Sequence, residues 1–198
     1  MKKLIFLTTL IVLFLVFIAP AVLALGIKYL PGDLQPPLEG TRGVYWIFEV
    51  SQEFFSPMDN LTALGMSIKN PNLKNKKDIT LLLYDENGNL VRKSVLNGQN
   101  IEDGAFVRFL FDPVKDSKNR HFKFVLSAPD AGAEDLLEVF YTQKKPSWIG
   151  KMVAIEGVEE SEIDGGVSLV TLHKPESSLF VIKTIYRGWL AQISTSLF

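Results

Sequence analysis

Ile79-Thr-Leu-Leu-Leu-Tyr84-Asp85-Glu-Asn87-Gly88-Asn-Leu90-Val-Arg-Lys-Ser-Val95 is the stretch that decides the fold. Two runs of β-favouring residues, 79–84 and 90–95, flank a cluster of turn formers, and Asn87-Gly88 supplies the positive backbone angles that tight hairpins need. The segment therefore predicts a hairpin. Upstream, Val44, Trp46, Phe48 and Val50 alternate with Tyr45, Ile47, Glu49 and Ser51, which predicts a strand with one apolar face from Val44 onward. Leu64 to Lys69 predicts another, stopped by the turn cluster Asn70-Pro71-Asn72. Downstream, strands are predicted at Ala105 to Phe111, His121 to Ser127, Leu136 to Thr142, Val167 to His173 and Leu179 to Tyr186. Phe109 with Phe111, and Phe122 with Phe124, sit two apart and line one face. Roughly eight to ten short strands, with no long amphipathic helix before the end, predict an all-β antiparallel sandwich rather than a parallel α/β fold. Its phenylalanines fill the space between two sheets, each contributing about 1.5–3 kcal/mol when fully buried.

Ahead of the strands, Leu4 to Ile27 carries no charged side chain and is broken only by Thr8, Thr9, Pro20 and Gly26. As a helix it would reach about 35 Å, enough to cross a hydrocarbon core of about 30 Å. Two readings compete, a retained transmembrane anchor and a cleaved secretory signal. Pro20 could end an export helix and Val22 with Ala24 could supply the small residues before a cut. The apolar stretch before Pro20 nevertheless exceeds the usual signal core of about 7–15 residues, so the anchor is preferred. Lys2 and Lys3 on the short side keep the amino terminus inside and put the rest beyond the membrane, in the periplasm or at the cell surface. Cleavage would give a secreted protein instead.

The expected organisation is a membrane or signal segment over 1–27, a Pro/Gly-rich linker over 28–43, and a β-sandwich over 44–198 with a carboxyl-terminal extension from about 148. The linker contains Pro31, Pro36 and Pro37 and reads as a spacer; Leu30, Leu34 and Leu38, four apart, offer the alternative of a segment packed along the domain. The chain has no cysteine, so neither a disulfide nor a lipoprotein anchor is available. A formal charge of −1, more negative by two once Lys2 and Lys3 are set aside, is not that of a nucleic-acid binder.

From Phe48 to Thr142 the order of elements becomes specific. Phe48-Glu-Val-Ser-Gln52-Glu-Phe54, Leu61 to Ile68, the hairpin, Phe106 to Phe111 and then Asp112-Pro-Val-Lys-Asp116-Ser117 follow one another. This order resembles jelly-roll domains of the galactose-binding or carbohydrate-binding-module type, found among the extracytoplasmic parts of membrane-anchored bacterial or archaeal proteins. In that resemblance the strand with Gln52 and Phe54 opens the sandwich, and the stretch from Asp112 to Ser117 marks a crossing between late strands. It implies a jelly-roll-like sandwich that often binds sugars, and it implies no enzyme activity.

Catalytic chemistry finds little support. His121 and His173 are the two imidazoles, and both read as solvated positions at strand ends. There is no His-x-x-x-His pair, nucleophile elbow, phosphate loop or cysteine nucleophile, so the chain is read as non-enzymatic and no cofactor is expected. Asp85-Glu-Asn87-Gly-Asn89 faintly resembles the start of a calcium loop, but it already makes sense as a turn. Glu159-Glu160-Ser-Glu162-Ile-Asp164 reads as a solvated loop. Asn60-Leu-Thr62 matches a glycosylation acceptor, which matters only in a host that glycosylates.

A sugar site needs an exposed flat aromatic beside amides or carboxylates. Trp148, in the loop after Lys144-Lys145-Pro146-Ser147, is the leading candidate, with Tyr141 before it and Asn97 and Asn100 in an amide-rich loop. At the end, Trp189, Leu190, Ile193 and Leu197 can share one face of a short helix that caps the sandwich, lies among headgroups or docks on a partner. The expected function is a membrane-anchored, non-catalytic binding or accessory module, with a glycan as leading ligand. The alternative is a structural subunit of an envelope or surface assembly, its partner another envelope protein.

Overall fold

Ile79, Leu81 and Leu83 are buried while Thr80, Leu82 and Tyr84 are half-buried, the two-residue period of a strand with one covered face. The computed structural model that shows this describes residues 2–196, and the chain falls into two compact units. One joins the residues up to Leu30 with those from Lys174 on; the other is Pro31–His173.

The first unit is helical. α1 (Lys2–Leu13), a π-helical stretch (Phe14–Ile18) and α2 (Ala19–Gly26) form one helix of 25 residues, long and apolar enough to cross a membrane, a property that signal sequences share. Pro20 explains the irregularity. It has no N–H to give the carbonyl of Val16 four residues back, and the ring crowds that carbonyl, so the ladder shifts register just before it. The Ala19 N–H reaches back five residues to Phe14. α3 (Ser178–Ser196) packs on α2 and begins at Ser177, whose Oγ accepts from the Phe180 N–H. The expectation of a strand over Leu179 to Tyr186 is thus corrected. A short apolar run rich in β-branched residues has no decisive period, and the cap at Ser177 with Val181 and Ile185 four apart tips it to helix. The terminal helix packs on α2 within this unit. The expected sharing of a face by Leu190, Ile193 and Leu197 falls outside the described residues and side chains.

The second unit is built from β1 (Leu30–Pro31), β2 (Gly40–Val44), β3 (Phe48–Phe55), β4 (Leu61–Lys69), β5 (Asp78–Asp85), β6 (Leu90–Asn97), β7 (Ala105–Val114), β8 (His121–Ser127), β9 (Leu137–Thr142), β10 (Ile149–Glu156), β11 (Glu159–Ile163), β12 (Gly166–Val167) and β13 (Leu169–His173). Two antiparallel sheets result. One has the order β11-β10-β3-β8-β5-β6; the other runs β1-β13-β4-β9-β12, with β7 also on β4 and β2 also on β9. Val50, Phe54, Leu81, Leu83, Phe122 and Phe124 from the first sheet meet Leu64, Met66, Ile68, Phe109, Val139 and Leu169 from the second in one core.

Gln52 joins the sheets. Fully buried, its Nε2 donates to the Gly150 carbonyl (2.9 Å) and the Glu53 carbonyl (3.1 Å), and its Oε1 accepts from the Val167 N–H (2.8 Å) in the opposite sheet. The stretch after Asp112 does cross between sheets, from β7 to β8. Ser117 fixes it by donating to the Met58 carbonyl and accepting from the Leu61 N–H.

Three local expectations change. The strand expected from Val44 is two strands in different sheets, because the chain turns at Tyr45–Ile47 with Trp46 at φ 47°. At the hairpin tip Gly88 has positive φ but Asn87 does not; Asp85 accepts from the N–H groups of Asn87 and Asn89, and a bulge places Tyr84 opposite Leu90. The acidic run at 159–163 is the edge strand β11, whose charges suit a sheet edge. The segment 28–43 also does more than span a gap. Gln35 donates to Ser67 Oγ and the Ser168 carbonyl, Ser168 Oγ donates to the Pro37 carbonyl, and Glu39 accepts from Thr142 Oγ1 and the Gln143 N–H.

Candidate functional site

Strand alternation sends Glu49, Ser51 and Glu53 of β3 to the face of the six-stranded sheet opposite the core. Register then decides their neighbours. Glu49 lies opposite Ile155, Ser51 opposite Val153 and Val125, and Glu53 opposite Lys123; Val125 in turn pairs with Leu82 and Lys123 with Tyr84. The outcome is an open recess of about 650 Å³. Leu82, Tyr84, Val125 and Ile155 give it an apolar lining, and Glu49, Glu53, Asp85, Glu86 and Glu160 bring carboxylates to it alongside Lys123 and His121.

Partial burial pushes the Glu49 carboxyl above its ordinary range. Asp85 is held below its range, chiefly because its carboxylate accepts from the Asn89 backbone. That same set of loop contacts accounts for the calcium-like sequence as a turn. Among the described residues no group of three or more His, Asp or Glu side chains is placed to hold a metal ion. Ser51 Oγ, on the face that bears Glu49 and Glu53, is buried and has no hydrogen-bond partner.

A second recess of about 340 Å³ shares Glu53 and His121 with the first and is closed by Phe55, Ser147, Trp148 and Gly150. His121 is exposed, as expected, and meets Phe55 edge to face at 4.7 Å between ring centroids. Trp148 is half-buried, leans on the core, and donates from Nε1 to Asp33 Oδ2 at 2.7 Å.

The other sequence candidates lie elsewhere. Tyr141 is on β9 of the seven-stranded sheet, its ring lying over Gly40 where a Cβ would sit 2.7 Å from it. Asn97 closes a turn, donating to the Lys76 carbonyl and Asp78 Oδ1 and accepting from the Gln99 N–H, and Asn100 is exposed in the short helical turn that follows. The ladder separates them from Trp148: Phe122 pairs with Asp85 at one end of β5, whereas Asn97 pairs with Asp78 at the other, seven residues or about 23 Å along the strand. The four candidates do not converge, and Trp148 borders the second recess.

Glu49, Glu53, Tyr84, Lys123 and Glu160 were not singled out by sequence. Their signal was the polar half of each alternating strand, which does not reveal which sheet leaves its outer face open. His173 corrects the reading as a solvated strand end, being only 1% exposed. Its Nδ1 lies 3.1 Å from the Asp59 carbonyl, which can only accept, so Nδ1 carries the proton and Nε2 accepts from Thr171 Oγ1. Burial drives its pKa down to about 4, which makes it a neutral structural imidazole. No protein-family model matches the chain, and no curated protein matches it.

Proposed function

We propose that this protein is a non-catalytic binding module held at the outer side of a membrane by its first helix. Its binding surface is the open outer face of the six-stranded sheet, and its ligand class is a glycan. The observation that carries the reading is the recess itself: an apolar lining of Tyr84, Leu82, Val125 and Ile155 with acceptors at its margin suits the C–H faces and hydroxyls of a sugar. A jelly-roll arrangement of the strands agrees with this use of a sheet face. Trp148 and His121 would extend the surface at one end.

The test is a glycan array probed with the full chain in detergent, beside a Val125→Arg variant that fills the recess and a Trp148→Ala variant. Binding abolished by Val125→Arg and reduced by Trp148→Ala supports the module and its site. Failure of the wild-type protein to bind any glycan rejects the ligand class.

One observation favours the second reading, a structural subunit of a surface assembly. Trp46 is 61% exposed and held at positive φ by its N–H bonding the carbonyls of Ala128 and Ala131, and beside it Ile47 touches the turn that carries Val158, 98% exposed. Fixed apolar side chains in solvent suit a protein contact. A solution mass above that of one chain, returned to one chain by Val158→Asp, would favour that reading.

A further inference from the structure

Pro20 has no N–H to give the Val16 carbonyl four residues back, and the hydroxyl of Tyr186 in α3 donates to that carbonyl. In water such a carbonyl needs no protein partner; within a hydrocarbon core it does. Val16 stands ten residues before the end of α2, about 15 Å along the helix, which is the middle of a core about 30 Å thick. The covered positions set the direction of packing. Pro20 and Ala24, after Val16, are buried, and Val181 and Ile185, before Tyr186, are buried or half-buried, so the helices run antiparallel.

The outer side of α3 is equally telling. Leu179, Phe180 and Trp189 are exposed, Trp189 meets Tyr186 edge to face, and α3 carries no acidic residue. Lys183 and Arg187, exposed and four apart, are the charges on this side; a charge near the middle of the core costs about 2.5–3.5 kcal/mol on insertion scales, which a long stem leaning toward the headgroups lowers.

We infer that α3 is embedded in the lipid bilayer beside the second half of the N-terminal helix, with Leu179, Phe180 and Trp189 facing acyl chains and Tyr186 bonding the Val16 carbonyl to which Pro20 can offer no N–H. This rests on the reading of the first helix as a retained anchor and adds to it a second membrane-embedded element. It also gives the proline a role, since the defect it creates is the docking point for α3.

Absence of native cysteine makes the test direct. Single cysteines are introduced into the full chain in phosphatidylcholine–phosphatidylglycerol vesicles at Gly188, where a Cβ meets nothing within 4 Å, at Leu15 as an anchor control and at Val158 as an aqueous control. A charged, impermeant maleimide is the probe. Gly188→Cys and Leu15→Cys should both react at least about tenfold more slowly than Val158→Cys, because reagent and thiolate are excluded from hydrocarbon. Adding Tyr186→Phe should speed Gly188→Cys labelling roughly threefold, the effect of one interhelical hydrogen bond. With Pro20→Ala, which restores a helical donor to Val16, Tyr186→Phe should change nothing.

Labelling of Gly188→Cys at the Val158→Cys rate, with Leu15→Cys still shielded, would overturn the inference and leave the anchor intact. Shielding that ignores Tyr186→Phe in the Pro20 background would overturn the pairing. Free labelling of Leu15→Cys would sink the anchor reading itself.

Discussion

The two sheets use their outer faces in opposite ways. On β4 of the seven-stranded sheet Leu61 to Ile68 are buried without a break, whereas β5 of the six-stranded sheet alternates. Small residues explain the first. Ala63, Gly65 and Ser67 face away from the core and are covered closely, Gly65 by the ring of Phe106 and Ser67 by Gln35 of the arm. Further along, Gly32 of the arm sits against Thr171 and His173 and donates its N–H to the Thr171 carbonyl. Over Glu49, Glu53 and Lys123 the six-stranded sheet instead bears an open recess. A sheet sealed on both faces contributes stability; a sheet with one open face is free to carry a ligand. The division predicts that substitutions on the two outer faces differ in kind.

The largest effect should come from cutting the tie between the sheets. Gln52→Ala leaves the buried Val167 N–H without a partner, takes one of two donors from the Gly150 carbonyl and opens a cavity, which together should cost about 3 kcal/mol in urea unfolding followed by tryptophan fluorescence. A loss below about 1 kcal/mol would mean that the sheets hold together by apolar packing alone.

Acid should then act through the sealed sheet. His173 has a folded pKa of about 4 against about 6.5 unfolded, so between these values the unfolded chain takes up a proton that the folded chain refuses. Its contribution is complete above pH 6.5 and is lost as pH falls toward 4, up to about 3 kcal/mol in all. Stability measured from pH 7 to pH 4 should fall less steeply in His173→Gln than in the wild type. Equal slopes in wild type and His173→Gln would exclude this proton as the cause.

Cover itself is tested by Gly65→Val. An added Cβ would lie 2.3 Å from Phe106 Cζ, so the half-exposed ring must swing off the sheet, at a cost of about 1–3 kcal/mol. The matched change on the open face, Val125→Thr, should cost within about 0.5 kcal/mol of nothing. Similar losses at both sites would erase the distinction between the faces.

Much of this contrast was legible in residues 44–142, where alternation and turn chemistry set the strands, and the hairpin at Asp85 to Asn89 was recognisable from composition alone. What failed has common physical roots. Trp46 continues the apolar alternation by residue type, yet the chain turns there, because hydrogen bonds from the 128–131 loop override local preference. Leu179 to Tyr186, apolar except at Lys183 and Thr184, has no decisive period and suits a helix as well as a strand. The site was less legible than the fold. Trp148 was chosen by type and does border a recess, but Asn97 is consumed by its own turn and Tyr141 by Gly40. Convergence of Glu49, Glu53, Tyr84 and Glu160 depends on strand register and on which sheet stays uncovered, both long-range properties.

The smallest stability effect, and the most informative about the open face, belongs to Glu49. Its folded pKa is raised by desolvation, so the folded chain holds that proton more tightly than the unfolded chain does. Stability from this group is therefore present at low pH and lost as pH rises through the carboxylate range; at pH 7 the charge is a slight liability to the fold. Glu49→Gln should raise the melting temperature slightly at pH 7 and leave it unchanged at pH 3.5, where the wild-type carboxyl is protonated. A residue kept against stability is what a binding surface requires, and the same variant should weaken glycan binding if the recess is the site. A melting temperature that falls at pH 7 would instead make Glu49 part of the architecture and remove the main energetic sign that this face was left open for a ligand.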